Sequence, residues 1–319
     1  MNRRKFIKTA TTAIPILSTL PANMNMMNQK KANKVLEKRS LGRTGEKLSV
    51  LGFGGIVVMN ATPNESANRV SQAIDYGVNY FDVAPSYGDA EVKLGPALKP
   101  YRKNVFLACK TQERMKDGAT KELEQSLENL QTDHFDLYQL HAVTNLNEVE
   151  TIFSSNGAME TFVKAKKEGK IRHIGFSAHS VEAAMNLMDR YDFDTILYPI
   201  NFRIWYAGNF GPQVVEKARQ KKMGILALKS LAKGPWPKDV EKKFPKCWYE
   251  PLTDPQEMTM ALRFTLSQPV TAALPPGDEN LYRIALDLGT RIEPLNEPDF
   301  ITIKEKALGG YPLFKYPQE

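Results

Sequence analysis

The chain has 319 residues, of which 42% are hydrophobic, and its formal net charge is +7. This length suits one α/β barrel or two smaller domains, and the apolar content is enough for a large core. Residues 1–31 contain six basic residues and no acidic one, so the rest of the chain carries only +1, and we predict no nucleic-acid-binding face. The two cysteines, Cys109 and Cys247, are far apart and exclude a cysteine-rich zinc or iron–sulfur site.

The first 31 residues resemble a twin-arginine export signal. Residues 2–8 read NRRKFIK, and a mildly apolar stretch follows over residues 9–21. That stretch is shorter than the about 20 apolar residues that a transmembrane helix needs, but it matches the apolar region of a signal peptide. The resemblance implies export by the twin-arginine machinery to the periplasm. The alternative is a basic start to a cytoplasmic protein.

From residue 35 onward, short apolar runs alternate with amphipathic segments. Eight runs predict strands that are buried on both faces, and the segments between them predict crossover helices. Eight such units predict a (β/α)8 TIM barrel, with a hairpin around residues 42–45 that closes its bottom. A doubly wound sheet is the alternative, but residues 52–55 form no GxGxxG turn. The predicted strands lie near residues 49–53, 78–82, 105–110, 135–140, 171–176, 194–199, 223–228 and 270–274.

Two further segments complete the predicted organisation. Residues 232–253 form an insertion after the seventh strand, rich in Pro, Lys and Trp. A loop of this length is typical of a lid or binding segment, and a surface excursion is the alternative. The predicted domains are a leader over residues 1–31, a barrel over residues 35–292 and a C-terminal tail over residues 293–319.

Titratable side chains end three successive predicted strands, namely Asp82, Lys110 and His141. The carboxyl ends of parallel strands meet at one face of a barrel, and that face carries the catalytic residues. Tyr87 follows Asp82 by five residues, on the loop into the next helix. We therefore expect these four side chains to converge.

The motifs around these residues resemble those of aldo-keto reductases. They are LGRTG at residues 41–45, GFGG at 52–55, FDVAPSYG at 81–88, DLYQLH at 136–141 and EGKIRHIGFS at 168–177. The resemblance covers roughly residues 35–290 and is most specific in the first half. It implies the same barrel fold and places the C-terminal tail near the substrate mouth.

The resemblance implies a role for each of the four converging residues. Tyr87 would be the general acid or base that exchanges a proton with the substrate oxygen. Lys110 would lower the pKa of Tyr87, and Asp82 would keep Lys110 charged and oriented. His141, as a neutral imidazole, would hydrogen-bond the substrate oxygen.

The resemblance also implies a nicotinamide cofactor, NADPH or NADH. Backbone amides at a helix start favour phosphate, and an acidic residue favours a free ribose hydroxyl over a 2′-phosphate. We thus weigh NADH equally with NADPH, and the alternative role of Asp278 is a helix cap. The predicted cofactor-binding residues are Gly54, Ser177, Asn201, Lys229, Gly277 and Asp278.

Three positions depart from the family pattern. Ala178 replaces the usual Asn, Leu197 the usual Gln, and Leu228 the Tyr that stacks on the nicotinamide. His179 or Asn201 is the alternative partner for the nicotinamide carboxamide.

The expected function is therefore NAD(P)H-dependent interconversion of a small aldehyde or ketone and an alcohol. The alternative is a cofactor- or ligand-binding regulatory module on the same fold with little turnover. We expect a small-molecule substrate, no metal and no stable transmembrane span.

Overall fold

The computed structural model describes residues 35–317, so the predicted leader at residues 1–31 lies outside the described residues. Short extended segments recur along the chain between helices, as the apolar runs predict. The strands are Lys38–Ser40 (β1), Lys47–Ser49 (β2), Phe53–Gly54 (β3), Tyr80–Asp82 (β4), Phe106–Thr111 (β5), Phe135–Val143 (β6), Ile171–Ala178 (β7), Thr195–Pro199 (β8), Gly224–Leu228 (β9), Ala232–Gly234 (β10), Glu250–Pro251 (β11) and Ala272–Ala273 (β12).

Eight of these strands form one parallel sheet in the order β12-β9-β8-β7-β6-β5-β4-β3. The two edges of that sheet also meet each other. Leu51 forms a parallel bridge with Ala273, and the Gly52 amide donates to the Ala273 carbonyl at 3.0 Å. The sheet therefore closes on itself, which confirms the predicted (β/α)8 TIM barrel.

The hairpin of β1 and β2 closes the bottom of the barrel, as predicted. Leu41 and Leu48 are buried against Phe106, Leu137 and other side chains that point into the barrel. The approach is close at Gly42, because a Cβ there would meet the backbone at Gly224. Gly42 also has a φ of 51°, a left-handed conformation that favours glycine.

Helices cover the outside of the sheet, and most buried apolar side chains lie between the two layers. Several helices begin with the expected signals, such as the capping box that Thr62 and Glu65 form. The helices are Pro63–Asp75 (α1), Ala90–Leu98 (α2), Lys116–Asn129 (α3), Leu146–Ile152 (α4), Ala158–Lys167 (α5), Val181–Arg190 (α6), Phe202–Tyr206 (α7), Pro212–Gln220 (α8), Pro255–Ser267 (α9), Glu279–Gly289 (α10) and Glu297–Leu308 (α11).

The predicted C-terminal tail contains a helix, α11, that the sequence analysis did not expect. Pro298 lies in its first turn, where a proline removes no helical hydrogen bond, and Asn296 caps it. None of the helices within residues 35–317 is long and apolar enough to cross a membrane.

Candidate active site

A pocket of about 170 Å³ opens at the carboxyl ends of the barrel strands. Its lining includes Asp82, Tyr87 and His141, three of the four residues that the sequence predicts to converge. Across the described range 35–317, no cluster of three or more His, Cys, Asp or Glu side chains could hold a metal ion.

A larger cavity of about 490 Å³ lies beside β1 and α9. Its two arginines bind main-chain carbonyls: Arg39 donates to Leu266 and Val270, and Arg263 donates to Glu293 and Pro294. These arginines hold segments of the fold together. We therefore place the site in the smaller pocket, where the titratable groups converge.

Asp82 and Lys110 form a buried ion pair between the ends of β4 and β5, and each is only 1% exposed. Tyr80 and Gln139 also donate to the Asp82 carboxylate, at 3.1 and 3.2 Å. Burial alone would lower the pKa of Lys110, but the Asp82 charge outweighs burial and holds that pKa above its ordinary value. Lys110 is therefore an ammonium ion. Cys109, the preceding residue, packs in the outer core, as the strand alternation predicts.

Tyr87 lies on the loop between β4 and α2, with its ring between Lys110 and His141. The Lys110 Nζ is 5.0 Å from the Tyr87 ring centroid. The His141 ring meets the Tyr87 ring edge-on, with centroids 5.7 Å apart. Burial raises the pKa of Tyr87 above its ordinary value, by more than Lys110 lowers it. Lys110 thus lowers this pKa as expected, but burial outweighs it, and Tyr87 is a neutral phenol at pH 7.

A β-bulge in β6 orients His141. The register between β6 and β7 shifts between Leu140 and Val143, and Ala142 has a φ of 53°. The Ala142 amide donates to the Ser177 hydroxyl at 2.7 Å, and Arg114 donates to the His141 carbonyl at 2.7 Å. Burial, reinforced by Lys110, lowers the pKa of His141 well below its ordinary value. The imidazole is therefore neutral at pH 7.

The Ser86 hydroxyl lies 3.4 Å from His141 Nδ1. This contact engages one ring nitrogen and leaves Nε2 available to a ligand.

Five of the six predicted cofactor-binding residues divide into two groups, and Asp278 is described separately below. Gly54, Lys229 and Gly277 line the pocket. Ser177 and Asn201 do not line it, and each is only 1% exposed. Ser177 accepts the hydrogen bond from Ala142 described above. Both of these buried side chains hold the main chain around the pocket, a role that the sequence analysis did not assign to them.

Asn201 has both ends of its amide bound to main chain. Its Oδ1 accepts from the Ile204 amide and caps α7, and its Nδ2 donates to the Lys229 carbonyl, each at 2.9 Å. Each polar atom of the Asn201 side chain therefore already has one main-chain partner, and a contact with the carboxamide stays a prediction.

Asp278 caps α10 by accepting from the Asn280 and Leu281 amides at 3.0 and 3.1 Å. This is the alternative role that the sequence left open. A contact between its second oxygen and a ribose stays a prediction.

An aromatic wall on the other side of the pocket was not found from the sequence. The Lys229 Nζ lies 4.9 Å from the Trp248 ring and 5.2 Å from the Tyr249 ring. Phe314, from the C-terminal tail, stacks on His179 with ring centroids 5.2 Å apart. These contacts join residues that are distant in sequence. In the sequence, the signal for them was the aromatic content of the insertion and of the C-terminal tail.

The model of the aldo/keto reductase family matches residues 50–295, most of the barrel. The chain belongs to the aldo/keto reductase family. L-galactose dehydrogenase of Arabidopsis thaliana is 29% identical over 217 residues, which are 62% of this chain and 66% of that protein. Aldo-keto reductase YhdN of Bacillus subtilis is 30% identical over 218 residues, which are 62% of this chain and 63% of that protein.

The solved structures agree on the fold. The holo form of aldo-keto reductase AKR11C1 from Bacillus halodurans superposes with a TM-score of 0.67 at 21% identity, covering 89% of this chain and 99% of that one. The chain spans about half to two thirds of the length of the curated relatives it matches. The family and the fold are therefore established, and the activity and substrate are matters for proposal.

Proposed function

We propose that this aldo-keto reductase interconverts a small aldehyde or ketone with its alcohol, with NADPH or NADH as the hydride carrier. The supporting observation is the convergence of Asp82, Lys110, Tyr87 and His141 at the carboxyl ends of three successive barrel strands. A phenol, an ammonium and a neutral imidazole beside one pocket can bind a carbonyl oxygen and give it a proton.

The remaining pocket walls fit a nicotinamide dinucleotide. Gly54 lines the pocket, and no atom lies within 4 Å of the position that a Cβ would take there. Lys229 and Lys246 bring two ammonium groups to the lining, and Gly277 lies beside the start of α10, where the helix dipole favours phosphate. When bound, the dinucleotide supplies the hydride in reduction and accepts it in oxidation.

Side chains of the protein then bind the substrate oxygen and neutralise the negative charge that develops on it. Tyr87 and His141 hydrogen-bond the carbonyl oxygen and orient it. As the carbonyl carbon gains a hydride, its oxygen gains negative charge, and the Tyr87 phenol donates its proton to that oxygen. The Lys110 ammonium stabilises the phenolate that remains, and Asp82 keeps the ammonium in place. Burial keeps Tyr87 protonated at neutral pH, which is the form that reduction requires.

One observation supports a second candidate, a binding module with little turnover. Leu197 and Leu228 line the pocket where the family usually places a polar and a stacking contact to the nicotinamide. A nicotinamide that binds weakly or in another orientation would supply no hydride to a substrate beside the four converging residues.

A fluorescence titration of the full chain with NADPH and NADH, followed by turnover of small aldehydes, separates the two candidates. Saturable nucleotide binding with steady oxidation of the bound nucleotide supports the reductase. Saturable binding with no turnover of any aldehyde or ketone supports the binding module. No binding of either nucleotide, in protein shown to carry none already, would contradict the reductase and favour a module that binds another ligand.

We further propose that residues 1–31 direct export to the periplasm through the twin-arginine machinery. The support is the pair Arg3 and Arg4 before a short apolar stretch. Replacing both arginines by lysine should retain the protein in the cytoplasmic fraction. An unchanged distribution would favour a cytoplasmic protein.

A further inference from the structure

Lys229 is a pocket cation that has no carboxylate partner among residues 35–317. Its backbone has a φ of 64°, a left-handed conformation that is uncommon for a residue with a side chain. Its carbonyl accepts hydrogen bonds from Asn201 Nδ2 and from the Ala232 amide, at 2.9 and 3.0 Å. The fold thus fixes Lys229 in an unusual conformation from which its side chain reaches the pocket.

The surroundings of Lys229 stabilise a cation without neutralising it. The rings of Trp248 and Tyr249 lie within 4.9 and 5.2 Å of its Nζ. Each such contact is worth about 0.5 to 2 kcal/mol, which offsets only part of the loss of hydration. Burial, reinforced by the charge of Lys110, lowers the pKa of Lys229 to about 8. Near neutral pH the pocket therefore retains a positive charge that lacks a counter-ion.

His179 gives the same pocket an unused polar atom. Its Nε2 is buried and has no hydrogen-bond partner in the described part of the chain. The Phe314 ring holds the imidazole from one side. Burial, reinforced by Lys229, lowers the pKa of His179 to about 3, so the ring is neutral at pH 7. A buried polar atom without a partner is unfavourable, and a ligand atom can supply that partner.

The acids near the pocket are already engaged. Asp82 is the acidic side chain in the described lining, and it is paired with Lys110. Glu279 pairs with Lys246 and Arg69, and Asp278 caps α10. A bound anion would supply the negative charge that these engaged acids do not offer to Lys229.

We propose that Lys229 and His179 form a subsite for an oxyanion on the substrate, so that the preferred substrates are small aldehydes or ketones carrying a carboxylate or phosphate. The inference rests on the proposed function. A cofactor phosphate offers the same chemistry, and it is the source that the sequence resemblance favours for Lys229. The substrate is favoured here because His179, which lines the pocket together with Lys229, stacks on Phe314 of the C-terminal tail, the segment that the resemblance places near the substrate mouth.

The test compares two aldehydes of similar size, 4-oxobutanoate and its neutral methyl ester. The wild-type protein should turn over the anion with a kcat/KM about 10- to 100-fold above that of the ester, since a hydrogen bond to a charged group is worth about 1.5 to 3 kcal/mol. Lys229→Met should remove this preference by raising KM for 4-oxobutanoate far more than KM for the ester. Lys229→Arg should restore part of the preference. Lys242→Met, which removes an exposed lysine from the insertion at residues 232–253, is the matched control.

Three other results of this comparison would each lead to a different conclusion. An equal anion-to-ester ratio in wild-type and Lys229→Met protein, with turnover intact, overturns the subsite. A weaker Kd for both NADPH and NADH in Lys229→Met, with equal losses for both aldehydes, assigns Lys229 to the cofactor and also overturns it. If neither aldehyde is turned over, the proposed function fails. Calorimetric titration of 4-oxobutanoate into both proteins then decides the subsite separately, and equal affinities would overturn it.

A pH series supplies a second readout. Lys229 loses its charge as pH rises through about 8, so the preference for 4-oxobutanoate should fall above that pH. The neighbouring groups whose pKa values are shifted keep their protonation states across pH 8. Lys110 stays charged and His141 and His179 stay neutral, whereas burial raises the pKa of Cys247 to about 11 and that of Tyr249 above its ordinary value. A preference that stays constant across pH 8 would contradict the role of Lys229.

Discussion

Two lysines at the same edge of the barrel, Lys110 and Lys229, have pKa values that are shifted in opposite directions. Burial lowers the pKa of both. The Asp82 carboxylate outweighs burial for Lys110, whereas Lys229 has only the faces of two aromatic rings beside it. The difference is consistent with two roles. Lys110 keeps its positive charge because Asp82 pairs with it inside the protein, whereas we propose that the positive charge of Lys229 pairs with a bound anion.

We expect the largest effect from removing the phenol proton of Tyr87, which lies beside the permanent charge of Lys110. Tyr87→Phe should lower kcat for carbonyl reduction by about 10²- to 10⁴-fold, the usual contribution of general acid catalysis. The Kd for NADPH and NADH and the thermal stability should stay close to wild type, because the ring remains. Steady-state kinetics and nucleotide titration measure both. Equal turnover in the two proteins would remove Tyr87 from the mechanism.

Asp82→Asn should make Lys110 resemble Lys229. We expect a loss of about 3 to 5 kcal/mol in the free energy of unfolding, since the ammonium would be buried without its partner, together with a fall in kcat. Denaturant unfolding and kinetics check this. The double variant Asp82→Asn with Lys110→Met should recover much of the stability and none of the activity. A stable and active single variant would contradict the assigned role of the pair.

Trp248→Leu should weaken the stabilisation of the Lys229 cation. Because Trp248 is 52% exposed, we expect a two- to fivefold rise in KM for 4-oxobutanoate, at the lower end of about 0.5 to 2 kcal/mol for a cation–π contact. The KM for the methyl ester should not change. Tyr311→Leu, at a tail aromatic that is 82% exposed, is the control. An equal rise in KM for both aldehydes would indicate a general distortion of the pocket.

The smallest effect concerns Asp278. Asp278→Arg should lower the free energy of unfolding by about 1 kcal/mol through loss of the α10 cap, and it should shift the preference from NADH toward NADPH. Asp278→Asn keeps a capping oxygen and should retain most of the stability. Thermal denaturation and the ratio of the two Kd values are the measurements. A loss of stability with an unchanged ratio would show that Asp278 is a cap alone.

The sequence was sufficient for the barrel and for the convergence of Asp82, Tyr87, Lys110 and His141. These features are local, because each predicted strand is a continuous apolar run and each polar residue lies at or just after its end. The bulge at Ala142 was not predicted, since the left-handed alanine carries no local signal. The sign of the Tyr87 pKa shift also required the fold, because burial depends on segments far from residue 87.

The other wall of the pocket depends on contacts across long stretches of chain. Lys229 meets Trp248 and Tyr249 only after an insertion folds back, and His179 meets Phe314 from the far end of the chain. Asn201 was predicted as an alternative partner for the nicotinamide carboxamide, because the usual family contacts are missing at Ala178 and Leu197. Its actual partners are a helix amide and the Lys229 carbonyl, which no periodicity could indicate.

The closing seam of the barrel has a consequence for motion. β12 pairs with β9 through only two residues. On its other side, Ala273 of β12 meets residues 50–52, just before β3, through hydrogen bonds with Gly52 and Val50 and a single bridge with Leu51. Strands joined by so few hydrogen bonds open more readily than long central ones. Native-state amide exchange should therefore be faster at Ala273 than in β6. Transient opening along this seam would loosen the neighbouring edge of the pocket, at Leu274 and Gly277, while the Asp82–Lys110 ion pair on β4 and β5 stays in place.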